Sequence, residues 1–175
     1  MESSFTFWLT GLSGAGKTSL GEAIALHYRK KGLPTVLLDG DVLRSSISKD
    51  LGYSEEERME QNRRAAALAK LLNRQGITVF AALISPLEKI RKEIEDQIGK
   101  NQFFLIHVAC SLDECIRRDV KKHYEKALKT TSGTFTGIHQ TYEAPVNPWL
   151  TVDTENYDKE TCVNQLIEAI DALVH

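Results

Sequence analysis

Gly11-Leu12-Ser13-Gly14-Ala15-Gly16-Lys17-Thr18 satisfies the pattern GxxxxGK[ST] at every fixed position. Its surroundings are those the pattern requires. Phe5 to Thr10 is a short β-rich run, and Leu20, Ala23, Ile24, His27 and Tyr28 then recur at helical spacing up to Gly32-Leu33-Pro34, so the glycines lie between a predicted strand and a predicted helix. Glycines there let consecutive backbone N–H groups turn inward around a phosphate, and the following helix adds the positive end of its dipole. Lys17 is expected to reach the β- and γ-phosphates of ATP and Thr18 to offer its hydroxyl to Mg²⁺. Gly11, Leu12, Ser13, Gly14, Ala15, Gly16, Lys17, Thr18 and Ser19 are the expected ATP-binding residues. A glycine-rich turn without a ligand is the competing reading, and the full match in this context disfavours it.

Working outward, Thr35 to Leu38 is a second apolar run ending in Asp39-Gly40-Asp41, the pattern of a buried strand delivering polar groups at its carboxyl end. Ser54 and Glu57 form a capping box, and Ala65, Leu68, Ala69 and Leu72 mark the buried stripe of a helix stopped by Gly76. Ile77 to Ile84 and Phe103 to Ala109 are continuous apolar runs of strand length, expected as central parallel strands covered on both faces. Leu87, Ile90, Ile94 and Ile98 make a helix between them, and Val163, Leu166, Ile167, Ile170 and Leu173 make a last one. This alternation predicts an α/β fold of three layers: a mostly parallel, doubly wound sheet with flanking helices and right-handed crossovers. Asp119 to Pro148 breaks the rhythm. It is basic, then rich in Thr, Gly and Pro, without apolar period, and a stretch that long suggests a lid.

The 175 residues suit a single domain that buries roughly 70% of its unfolded surface. With 22 Lys and Arg against 24 Asp and Glu, no global basic field exists to recruit nucleic acid or anionic lipid, so anion sites are local. Cys110, Cys115 and Cys162 have neither CxxC nor paired spacing and are expected as reduced packing residues. The opening Met1-Glu2-Ser3-Ser4 lacks the basic and apolar regions of a signal peptide, and no apolar run approaches the roughly 20 residues of a membrane span. A cytoplasmic location is expected.

Asp39 and Asp41 fall where ligands collect in open α/β sheets. A carboxylate there can hold Mg²⁺ or accept the proton of an attacking hydroxyl. Capping the short helix that holds Arg44 is the structural alternative, and it suits Asp41 better than Asp39. Arg58 shares a helix face with Gln61 and Asn62, a face most often merely solvated. Ser85-Pro86 ends the third strand run, and a helix start is the usual use of such a serine. His27 and His107 lie on buried patterns and read as structural histidines.

Taken together, GLSGAGKTS (11–19), LLDGDVLR (37–44), DLGYS (50–54), ISP (84–86), RRD (117–119), FTGI (135–138) and YEAP (142–145) resemble the adenylylsulfate kinases, the enzymes that make 3′-phosphoadenylylsulfate. The resemblance implies a P-loop kinase fold and MgATP, with Lys17, Asp39 and Ser85 as catalytic positions and Thr18 and Asp39 toward the metal. It implies a nucleotide acceptor, adenosine 5′-phosphosulfate, held at Asp41, Arg44, Arg58, Gln61, Ile84 and Ser85, with its base between the aromatic rings of Tyr53 and Phe135. Lys121 and Lys126 would close with the lid over ATP, and Ser85 matches a serine commonly described as phosphorylated. A homodimer and a place in sulfate assimilation are implied as well. The chain departs from the family pattern in Gln61 for an Asn, Lys122-His123 for Gly-Leu, and His139 for an Asp. These departures touch the acceptor and the lid, so a kinase for another activated nucleotide, such as a cytidine diphosphate conjugate, is the first alternative. A non-enzymatic nucleotide switch is the second, although a sensor has no need of acceptor motifs.

Overall fold

The computed structural model describes residues 4–119, 122–130 and 133–174. Five parallel strands, β1 (Thr6–Thr10), β2 (Thr35–Asp39), β3 (Thr78–Ala82), β4 (Phe103–Ala109) and β5 (Leu150–Asp153), form one sheet in the order β2-β3-β1-β4-β5. The helices are α1 (Lys17–Lys30), α2 (Gly40–Ser45), α3 (Glu55–Asn73), α4 (Glu88–Ile98), α5 (Leu112–Arg118), α6 (His123–Leu128) and α7 (Lys159–Val174).

Alternation along β1 divides the core in two, because successive side chains of a strand point to opposite faces. Phe7 and Leu9 join Leu20 and Ile24 of α1 and Leu166 and Ile170 of α7 on one face. Trp8 goes to the other face, with Ala65 and Ala69 of α3 and Ile90, Ile94 and Ile98 of α4. Parallel register sets Phe7 opposite both Phe80 and Phe104, and their rings stack at 5.4 and 5.5 Å. All of β1 is buried, so the loop that follows it springs from a strand packed on both faces. The crossovers leaving the neighbours β1 and β3 run to opposite sides of the sheet, and such a switch point opens a crevice beyond the strands' carboxyl ends.

The capping box forms as expected: Ser54 Oγ accepts from the Glu57 N–H, and Glu57 returns a bond to the Ser54 N–H at 3.0 Å. Three elements were not foreseen. β5 is four residues long and α5 seven, short for any periodicity to register. α6 lies inside the segment read as having no apolar period, yet Tyr124 and Ala127 are buried at i,i+3 spacing. The third strand is shorter than its apolar run, and Leu83, Ile84 and Ser85 continue past the sheet as cleft wall. Cys115 and Cys162 are buried and Cys110 half-buried, and all three are free thiols. Among the described residues no helix is long and apolar enough to cross a membrane.

Candidate active site

The loop between β1 and α1 owes its path to glycine. A Cβ on Gly11 would lie 2.6 Å from the Val108 carbonyl oxygen, and Gly16, the residue before α1, sits at φ +101°, where side chains are strained. Lys17 folds back over the loop, its Nζ donating to the carbonyls of Gly11 (2.9 Å) and Leu12 (2.7 Å). The Ala15 carbonyl accepts from Thr154 Oγ1 at 2.7 Å, and that of Ser13 from Tyr124 Oη at 2.8 Å. These bonds fix the directions of the loop's peptides, and the Ala15 N–H closes the turn on the Leu12 carbonyl at 3.2 Å, while inward-turned N–H groups of such a loop can serve an anion.

Thr18 Oγ1 donates to Asp39 Oδ2 at 2.6 Å. The other carboxylate oxygen of Asp39 accepts from the N–H groups of Asp41 (2.9 Å) and Val42 (3.2 Å). Asp39 is therefore the N-cap of α2, whereas the sequence favoured Asp41 for that use; the strand ends at Asp39 in an extended conformation, which places its carboxylate over the first turn. A hydroxyl beside a carboxylate is a hard oxygen donor pair of the kind Mg²⁺ takes together with phosphate oxygens and water. The pair thus fits the metal that the fold implies.

Ser13, Gly14, Gly16, Lys17, Thr18 and Asp39 form one side of a cleft of about 280 Å³. Asp41, Arg44, Tyr53, Arg58 and Gln61 line the other side, and Ile84 and Ser85 extend its wall. Two guanidinium groups lie close to the Tyr53 ring: Arg44 Cζ is 4.3 Å from its centroid and Arg58 Cζ 5.4 Å. Arg58 donates to the Tyr53 carbonyl (3.1 Å), Gln140 Oε1 (2.9 Å) and the Thr134 carbonyl (2.7 Å), all neutral acceptors. Burial, then the nearby Arg44 charge, pushes the Arg58 pKa down to about 10. Burial likewise lowers that of Arg44. Both remain cations at neutral pH, held close to each other, a situation an incoming anion relieves. The face carrying Arg58, Gln61 and Asn62 is buried rather than solvated. Gln61 Nε2 donates to the Gly40 carbonyl at 2.8 Å and ties α3 to the α2 turn.

Ser85 is 1% exposed and adopts φ +45°, a strained value for a residue with a side chain. Its hydroxyl accepts from Trp8 Nε1 (2.8 Å) and donates to Asn62 Oδ1 (2.6 Å), and Asn62 Nδ2 continues to the Arg58 carbonyl (2.7 Å). The expected use of Ser85 as a helix start is not made. α4 begins at Glu88, whose N–H is capped by the carboxylate of Glu143 at 2.7 Å.

The structure brings Tyr53 to the cleft. Phe135 is absent from the described lining residues and packs edge-on against Tyr124, centroids 4.8 Å apart. Lys121 lies outside the described residues, and Lys126 is exposed on α6. Sequence reasoning missed Tyr124, Thr154, Trp8 and Asn73. Asn73 is buried, accepting from Thr6 Oγ1 (2.7 Å) and donating to the Phe5 and Ile77 carbonyls. Tyr124 was the most findable, as an aromatic at i,i+3 from an alanine within a basic stretch.

The chain that builds this cleft has relatives among known proteins. The family model described as adenylylsulphate kinase matches residues 3–153. The probable adenylyl-sulfate kinase of Bacillus subtilis (strain 168) is 40% identical over 167 residues, covering 95% of this chain and 85% of its own length. The adenylyl-sulfate kinase of Bacteroides thetaiotaomicron is 42% identical over 167 residues, covering 95% and 83%. The APS kinase of Mycobacterium tuberculosis, solved in complex with AMPPNP and APS, superposes with a TM-score of 0.89 at 34% identity over 98% of this chain and 99% of that one. The family model and these relatives match nearly the whole length, and the chain belongs to the adenylylsulphate kinase family.

Proposed function

We propose that this chain transfers the γ-phosphate of ATP to the 3′-hydroxyl of adenosine 5′-phosphosulfate, giving 3′-phosphoadenylylsulfate and ADP. One observation carries the reading beyond the family itself. The cleft has an anion-binding loop at one side and, at the other, two guanidinium groups close to an exposed aromatic ring. ATP's phosphates suit the first, and a nucleotide with an acidic 5′-group suits the second.

In this reading the acceptor's 3′-oxygen attacks the γ-phosphorus in line; the new O–P bond forms as the bond to the β-phosphate's bridging oxygen breaks, and the hydroxyl proton leaves. Lys17 would leave the Gly11 and Leu12 carbonyls for the β- and γ-oxygens, so its charge follows the transferring group. Mg²⁺, held through Thr18 and Asp39, would supply further neutralisation at the phosphates. Asp39 either organises that metal or receives the proton. Arg44 and Arg58 would orient the acceptor together with Asp41, Gln61 and Ile84, and Tyr53 would stack on its base. Ser85 would hold the cleft wall beside the transferred phosphate through its bonds to Trp8 and Asn62. Rate then comes mainly from positioning and charge. A homodimer, a cytoplasmic location and a single domain with a lid over 119–148 belong to the same proposal, supported by the resemblance and the chain's length.

Incubation with MgATP and a panel of acceptors, including adenosine 5′-phosphosulfate and a cytidine diphosphate conjugate, followed by mass analysis, tests it. The expected product is 3′-phosphoadenylylsulfate. Stronger phosphorylation of the cytidine conjugate, or ATP consumption independent of any acceptor, would overturn the named substrate.

A further inference from the structure

Tyr124 joins the two halves of the cleft. It is 1% exposed, its hydroxyl donates to the Ser13 carbonyl at 2.8 Å, and its ring meets Phe135 edge-on at 4.8 Å. Its own N–H is anchored on Asp119 Oδ1 at 3.0 Å. A trans peptide is planar, with its C=O and N–H pointing in opposite directions. Holding the Ser13 carbonyl therefore also sets the direction of the Gly14 N–H, which belongs to the same peptide unit and points away from α6. Thr154 does the same for the next carbonyl but one, that of Ala15, and so for the Gly16 N–H. Thr154 sits just beyond the edge strand β5, whereas Tyr124 comes from the lid segment.

On the acceptor side the Phe135 carbonyl accepts from the N–H groups of His139 (2.8 Å), Ile138 and Gln140 (both 3.2 Å). The turn so closed is bound to Arg58 through Thr134 and Gln140. An unbroken series of contacts thus runs from the phosphate loop through Tyr124 and Phe135 to an acceptor-side arginine.

We propose that Tyr124 is a positioning residue with two separable parts: its hydroxyl orients the Gly14 amide for ATP's phosphates, and its ring braces the Phe135 turn on the acceptor side. The proposal rests on the phosphotransfer reading above and deepens it. Burial pushes the phenol's pKa well up, so the hydroxyl stays a neutral donor throughout the working pH range.

The variants Tyr124→Phe and Tyr124→Leu separate the parts. In Tyr124→Phe, a non-hydrolysable ATP analogue binds about 3- to 15-fold more weakly by calorimetry, the worth of one hydrogen bond. kcat/KM for ATP falls in parallel, and the acceptor's KM stays at its wild-type value. Tyr124→Leu adds a rise of about 3- to 10-fold in the acceptor's KM, as expected for a lost aromatic pair. A Tyr124→Phe protein that binds the analogue and turns over ATP like the wild type overturns the proposal. So does a fall in melting temperature with unchanged kinetic constants, which assigns the residue to structure alone. The calorimetric arm uses no acceptor, so its failure is distinct from failure of the transfer reading, which would appear as a wild-type enzyme that phosphorylates no acceptor.

Discussion

Lys17 is buried to 8% exposure against two carbonyls of its own loop, so the loop is preassembled around the cation that is to meet the phosphates. Lys17→Ala removes that charge where it develops most in the transition state. Turnover is expected to fall by at least about 10²–10³, the usual worth of one such group, and near wild-type kcat would sink the assignment. Asp39 has a subtler test, because its carboxylate caps α2 and receives Thr18 at once. Asn keeps the size and an acceptor oxygen for the cap but loses the charge. Asp39→Asn is thus expected to lower kcat far more than it weakens ATP-analogue binding, and equal losses would make Asp39 structural. Ser85 invites a different expectation. Its proton is directed at Asn62 and its oxygen receives Trp8, an arrangement suited to holding the wall rather than carrying a phosphoryl group. Ser85→Ala should keep substantial turnover while costing about 1–3 kcal/mol of stability through the unpaired Trp8 and Asn62 groups. Full loss of activity, with phosphoserine trapped in the wild type, would contradict this.

At the scale of elements, the turn before α3 connects capping to the acceptor side. Glu57 accepts from the N–H groups of Gly52 (2.8 Å) and Ser54 (3.0 Å), and Arg44 donates to the Gly52 carbonyl at 2.5 Å. Those two N–H bonds, Gly52's first, hold the Glu57 carboxyl below the usual carboxylate range. The folded pKa is lower than the unfolded value of about 4.3, so the stabilisation is complete above that pH and lost as pH falls through the folded value. Melting curves from pH 7 down to 3 should show wild type above Glu57→Gln at neutral pH and the gap closing in acid; a constant gap would mean the bonds survive without the charge. This cap was legible because S-x-x-E is a local signal, as the phosphate loop is, and the continuous apolar runs of β3 and β4 were legible because burial on both faces writes itself into consecutive residues. What escaped shares a physical cause. Trp8 and Ser85 lie 77 positions apart, and Tyr124 and Ser13 111; such bonds exist only after the sheet assembles. The edge-on contact of Phe135 with Tyr124 has the same cause, a choice made by packing that no local pattern records. The N-cap passed to Asp39 because α2 starts at Gly40, directly after the strand, with no loop between them.

For the molecule as a whole, β1 supplies side chains to both cores, which predicts a single cooperative unfolding transition with both nucleotide sites linked to it. A ligand present at 100 times its Kd adds about 2.7 kcal/mol to the folded state, or roughly 5–10 °C in Tm for a domain of this size. An ATP analogue and adenosine 5′-phosphosulfate should therefore each raise the same transition. The variants separate the sites, because Lys17 lies in the phosphate loop and Arg44 on α2 beside Tyr53. Lys17→Ala is expected to lose most of the analogue's shift and keep the acceptor's. Arg44→Ala should do the reverse, since it removes one of the two guanidinium groups but leaves the loop, Thr18 and Asp39 in place. Two separate transitions would show that the cores unfold independently. Loss of both shifts in Arg44→Ala, with its unliganded Tm unchanged, would mean that the two pockets are one site, and the assignment of the arginine side to the acceptor would fall while the phosphate loop kept its own.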